Sequence, residues 1–169
     1  MAFKKLQVKE LKVHRFIRIL KLCNLTFQCF AVKNSSLYSS FALGDISSWL
    51  LQETTNTISA ASILLIDECS DILSNNPPEQ KRMIQGILDL LMNILSTPQS
   101  SVTLLRTMGA ASHALEKFGS VLFLEVIDDN LQHWARLILT FMNSTSMAVR
   151  SMAVDFVVSL LGSSFRGMS

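Results

Sequence analysis

From residue 46 to residue 161 apolar side chains recur mainly every three or four positions, and no segment alternates in the manner of a β-strand. Asp45, following Gly44, predicts an N-cap for a long helix from about Ile46 to Leu73. That segment carries Trp49, Leu50, Ile58, Ala61, Leu64, Leu65, Cys69 and Ile72, mostly on one helical face. The cluster Thr54-Thr55-Asn56-Thr57 offers a place for it to break in two. Asn76-Pro77-Pro78-Glu79 predicts the next start. Asn76 caps free N–H groups, Pro77 sits in the first turn where its missing N–H costs nothing, and Glu79 reaches back to the cap.

The helix begun there carries Met83, Ile84, Ile87, Leu88, Leu90, Leu91, Ile94 and Leu95. Its polar stripe is narrow (Arg82, Gln85, Asp89, Asn93), so it is covered on more than one side. Thr97-Pro98 predicts another start, with Gly119 ending that helix just after Phe118. Val121–Ile127 reads as a short helix, with an extended piece as the alternative, and Asp128 and Asp129 as caps for a helix through Trp134, Leu137, Ile138 and Phe141. A turn at 143–145 precedes a last helix from about Ser146 to Leu161, stopped by Gly162.

Short connections between helices with wide apolar faces predict stacked antiparallel pairs. Val149-Arg150, Ala153, Phe156-Val157 and Leu160 follow the pattern of the second helix of a HEAT-type repeat. Leu105-Arg106, Gly109, Ala114-Leu115 and Phe118 follow it loosely. Arg106 and Arg150 lie 44 residues apart, within the repeat period of about 40–47 residues. The expected fold is all-α: an armadillo/HEAT-like α-solenoid fragment over residues 46–169, with an irregular helical bundle as the alternative. Residues 1–45 stand outside the repeat fold as a basic amphipathic leader with a Ser-rich linker.

Charge sharpens that division. Residues 1–33 hold eight Lys or Arg and one acid, Glu10, for a net +7, while the other 136 residues hold seven basic and twelve acidic side chains, for −5. Lys4 to Lys21 is threaded with Leu6, Leu11, Val13, Phe16, Ile17 and Leu20. Such a leader is a non-homologous start, an organellar presequence (mitochondrial or plastid), or a segment that touches an anionic membrane surface. The acidic body argues against nucleic acid as the partner. The chain of 169 residues suits one domain. Its 49% hydrophobic content excludes a largely disordered chain, and no apolar run reaches membrane-helix length.

Candidate chemistry is sparse. Cys23, Cys29 and Cys69 are odd in number and form no CxxC pair, which fits a reducing compartment better than a disulfide or zinc framework. His14, His113 and His133 are far apart and form no zinc-binding pair. Asp67, Glu68 and Asp71 are the densest acids, with Asp67 and Asp71 on one helix face, and read as a solvated face with no His beside them. Cys69 among those acids is a poor nucleophile. No phosphate-binding, dinucleotide-binding or nucleophile-elbow motif is present, so no catalytic, cofactor-binding or metal-binding residue is expected, and no cofactor. Arg106 and Arg150 read as structural, bonding carbonyls or acids of an adjacent repeat. Trp49 and Trp134 read as core.

From about Leu51 the running text changes character. LLQETTNTISAASILLIDECSDIL, SSVTLLRTMGAASHALEKFG and DDNLQHWARLILTFMNSTSMAVRSMAVDFVVSLLG resemble the helical-repeat region of the dedicator-of-cytokinesis (DOCK) family, most of all its plant SPIKE-type guanine nucleotide exchange factors. The resemblance covers roughly residues 46–164. It implies a scaffold that works on Rho/Rac (ROP) small GTPases in the cytoplasm. The exchange module of that family has no counterpart here, so no catalytic residue carries over and no enzyme activity is expected. The family chain continues past the position of Gly162, which implies a fragment or truncated product. The last helix is apolar nearly all round, so neighbouring repeats or self-association are expected to cover it. An independent helical-repeat adaptor, targeted by the basic leader, is the alternative function.

Overall fold

The computed structural model describes residues 41–72, 77–97 and 99–166, together with Arg15, Arg18, Ile19, Lys21, Leu22 and Leu25. The expectations for Asn76, Pro98, His14, Cys23 and Cys29 lie outside the described residues, as do those for the side chains of Trp49, Cys69, Asp71 and Glu79. The fold is all-α: α1 Phe41–Ile72, α2 Pro77–Leu95, α3 Ser101–Ile127, α4 Leu131–Met142 and α5 Met147–Arg166, with a single 3₁₀ turn at Asp128–Asn130 before α4. No strand occurs among the described residues.

α3 is the centre. It packs chiefly on α1, α2 and α5, and α4 pairs chiefly with α5. α2 buries Ile84, Ile87, Leu88, Leu90, Leu91, Met92, Ile94 and Leu95, which is most of its circumference and matches its narrow polar stripe. At the far end Phe123 of α3, Trp134 of α4 and Phe156 of α5 form an aromatic cluster. Phe123 stands edge-on to both partners, at 6.1 Å from Trp134 and 5.7 Å from Phe156.

Several boundaries differ from the sequence expectation. α1 begins at Phe41, so Asp45 lies inside the helix rather than capping it. The Thr54–Thr57 cluster does not break α1. Thr57 Oγ1 donates to the Glu53 carbonyl at 2.8 Å, and Ser59 Oγ to that of Thr55 at 3.0 Å. Bonded back one turn, these hydroxyls are satisfied inside the helix and no longer compete with it. The face α1 buries holds Ile58, Ala61 and Leu65 as expected, but it also takes in Thr55, Ser59 and Ser62 and leaves Leu64 out. α3 starts three residues later than Thr97-Pro98 predicts. Thr97 Oγ1 donates back to the Asn93 carbonyl of α2, and Ser100 becomes the N-cap, accepting from the Thr103 N–H at 3.3 Å.

Gly119 breaks α3 as expected, at φ 80° and ψ 160°, and helix resumes through Ile127. Only glycine adopts that φ without strain. Asp128 and Asp129 form the 3₁₀ turn instead of capping α4, whose N-cap position is Asn130, without a side-chain cap bond. α5 follows the turn at 143–145, with Ser146 Oγ accepting from the Val149 N–H. It runs through Gly162 to Arg166. A glycine in a regular helical conformation costs about 1 kcal/mol but does not end a helix by itself.

Candidate interaction surface

α1 and α3 pack closely, and Thr55, Ser59 and Ser62 of α1 and Thr107, Ala110 and Ala114 of α3 are all buried. Ser59 Oγ and Thr107 Oγ1 meet at 3.1 Å across this contact. Each hydroxyl also reaches the carbonyl four residues back on its own helix. Each has one proton, so one of the two protons alternates between carbonyl and partner.

Above that contact lies an open groove of about 500 Å³, lined among others by Asn56, Ile63, Arg106, Ser112, His113 and Glu116. At its end His113 Nε2 meets Asp67 Oδ1 at 2.8 Å, with Lys117 Nζ at 3.4 Å from the same oxygen. This corrects the expectation that no His accompanies the acids. The partner comes from α3, 46 residues on, where helical spacing within α1 gives no sign of it. The hydrogen bond from His113 holds the Asp67 carboxyl below the usual range, helped by both cationic neighbours and opposed by partial burial. Asp67 is nonetheless 44% exposed. Among the described residues no three His, Cys, Asp or Glu side chains come together as metal ligands.

The other singled-out residues are structural or exposed. His133 Nε2 meets Ser96 Oγ at 2.8 Å, joining α4 to the end of α2. Trp134 is buried, as expected of core. Arg150 Nη1 donates to the Ser144 carbonyl at 2.8 Å, which is a carbonyl of its own preceding turn rather than of an adjacent repeat. Arg106 is exposed at the groove and makes no hydrogen bond or ion pair among the described residues.

The α4–α5 end is different in character. α5 buries Val149, Ala153 and Phe156 against α3, and turns Met147, Val154, Val158 and Leu161 outward. Met147 is 79% and Val158 61% exposed, and Leu139 and Met142 of α4 add to the same apolar surface. Isolated exposed apolar residues are ordinary, but a row of them along one helix marks a contact surface. A hollow of about 370 Å³ opens there, walled by Met142, Met147, Arg150, Ser151, Val154 and Asp155. Its two charges have opposite sign and sit at the rim of the apolar row. The arrangement has room for an apolar side chain beside an exposed pair of opposite charges. No described helix is long and apolar enough to cross a membrane. No family model, no curated protein and no solved structure matches the chain.

Proposed function

We propose that this chain is a non-catalytic helical scaffold segment of the dedicator-of-cytokinesis kind, an armadillo/HEAT-like stack acting by protein contact in Rho/Rac (ROP) small-GTPase signalling in the cytoplasm. The resemblance of the running text over residues 46–164 supplies the family. The packing of α3 on both α1 and α5, the helices two before and two after it in the chain, fits a stack of helix pairs. The observation that carries the reading is the outward row Met147, Val154, Val158 and Leu161. A helix this apolar on the side away from its own core is built to be covered.

A scaffold supplies surface and leaves nucleotide expulsion to another module. Release of labelled nucleotide from a Rho-family GTPase, measured with the full chain as the sole added protein, is expected to stay at the intrinsic rate. Clear acceleration would assign exchange activity to this chain and remove the scaffold reading.

A further inference from the structure

Along the outward face of α5, Met147, Ser151, Val154, Val158 and Leu161 follow at spacings of 4, 3, 4 and 3, and every one of them is exposed. Such spacings line these side chains up in one stripe that a single partner helix can cover along its length. Arg150 immediately precedes Ser151, and Asp155 immediately follows Val154, so they flank the stripe on opposite sides, five residues apart. In two parallel helices paired along such a stripe, these are the flanking positions that meet across the seam. In an antiparallel pair, like flanks would meet and Arg150 would face its own copy.

Deepening the scaffold reading, on which this step rests, we infer that the α5 face pairs with the α5 face of a second copy of this chain. The two helices run parallel about a two-fold axis, and Arg150 of each copy bonds Asp155 of the other. The occupant is set by charge: one stripe carries both members of the pair in the offset that a parallel copy of itself completes. Arg150 spends one N–H on the Ser144 carbonyl, which fixes the guanidinium beside the stripe and leaves its other donors for a carboxylate. Ser151, small and central, lets the helices approach, and the hollow beside it receives a side chain of the partner. Two heptads with one polar member make a modest seam, so the dimer belongs in the micromolar range rather than the nanomolar.

Sedimentation velocity on the full chain over a micromolar concentration series tests this, with circular dichroism confirming helicity of each variant. The wild type is expected to shift from monomer to dimer. Val158→Asp is expected to stay monomeric. Arg150→Asp and Asp155→Arg are each expected to weaken dimerisation about tenfold or more. The double swap Arg150→Asp/Asp155→Arg is expected to return to within about threefold of the wild type. Val158→Cys is expected to crosslink to its own copy under mild oxidation, beyond the level that the native cysteines give. A wild type that is monomeric throughout, or a double swap as dissociated as the singles, overturns the parallel seam. Neither result touches the exchange assay, by which the scaffold reading itself stands or falls.

Discussion

The indole of Trp134 stacks on the ring of Phe156, centroids 6.4 Å apart and planes within 12° of parallel. This one contact ties α4 to α5, and Phe123 closes it from α3. The helices that present the outward row are therefore anchored by three rings. Trp134→Ala and Phe156→Ala each empty a buried aromatic site and are expected to cost about 3–5 kcal/mol. Trp134 Nε1 is buried with no hydrogen-bond partner among the described residues. Trp134→Phe deletes that unpaired donor while keeping a ring, so the gain offsets part of the lost volume, and a cost below about 1.5 kcal/mol is expected. Urea titration of the variants separates the cases. A Trp134→Phe cost equal to that of Trp134→Ala would show that the N–H has a partner.

Gly119 makes the bend that lets the second half of α3 carry Phe123 into this cluster. A Cβ at this position would meet nothing within 4 Å, so the only obstacle to alanine is the backbone at φ 80°. Gly119→Ala is accordingly expected to destabilise by about 1–2 kcal/mol, and Gly109→Ala, within regular helix and equally free of neighbours, to stabilise by about 0.5–1 kcal/mol. Thermal melts of the two variants should move in opposite directions. Equal shifts would remove the conformational argument.

The contrast between those two glycines shows what could be read from the chain alone. Helices, the Gly119 break and the buried turn of α2 follow from local chemistry: cap residues, period and backbone freedom. The inward face of α1 followed only in part: Ile58, Ala61 and Leu65 are buried as their spacing predicts, but Thr55, Ser59 and Ser62 are buried beside them. Those three are polar letters, and the Ser59 and Ser62 hydroxyls donate to carbonyls of their own helix and so behave as small core residues. The His113–Asp67 pair was equally hidden, because its members lie on different helices. Exposure of the α5 row was legible as a helix apolar all round. Which of its apolar residues face outward emerged only once the structure divided buried from exposed positions.

The Ser59–Thr107 contact predicts a small but coupled effect. Either hydroxyl can be removed without orphaning the other, since each retains its carbonyl four residues back. Ser59→Ala and Thr107→Val are each expected to cost less than about 1.5 kcal/mol, and the double mutant less than their sum. Ser59→Leu is expected to be worse than either, at about 1–3 kcal/mol, because it overfills a contact made of alanines and hydroxyls. Strict additivity in the cycle would mean that the 3.1 Å contact carries no energy.

Two carboxylates give the stability a pH dependence of opposing sign. Asp67 is held low chiefly by the hydrogen bond from His113, so the folded chain binds its proton less readily than the unfolded chain. Its contribution is present above the ordinary aspartate range and disappears as pH falls through and below it. Asp89 is held high, first by burial and then by the nearby Asp129 charge, against the Asn130 Nδ2–H that donates to it at 3.0 Å. The folded chain binds that proton more readily. The charged form therefore lowers stability at neutral pH, and the loss is recovered as pH falls through the raised value. Asp89→Asn keeps an oxygen for Asn130 and removes the charge. It is expected to raise stability at pH 7 by up to about 1 kcal/mol, with the difference from wild type vanishing toward pH 3. Asp67→Asn is expected to do the reverse: to lower stability at pH 7 by less than about 1 kcal/mol, its carboxylate being nearly half exposed, and to converge on the wild type only below about pH 4. Urea midpoints measured for the two variants between pH 3 and pH 7 decide the matter. Slopes of the same sign for both would contradict the opposite placement of these two groups.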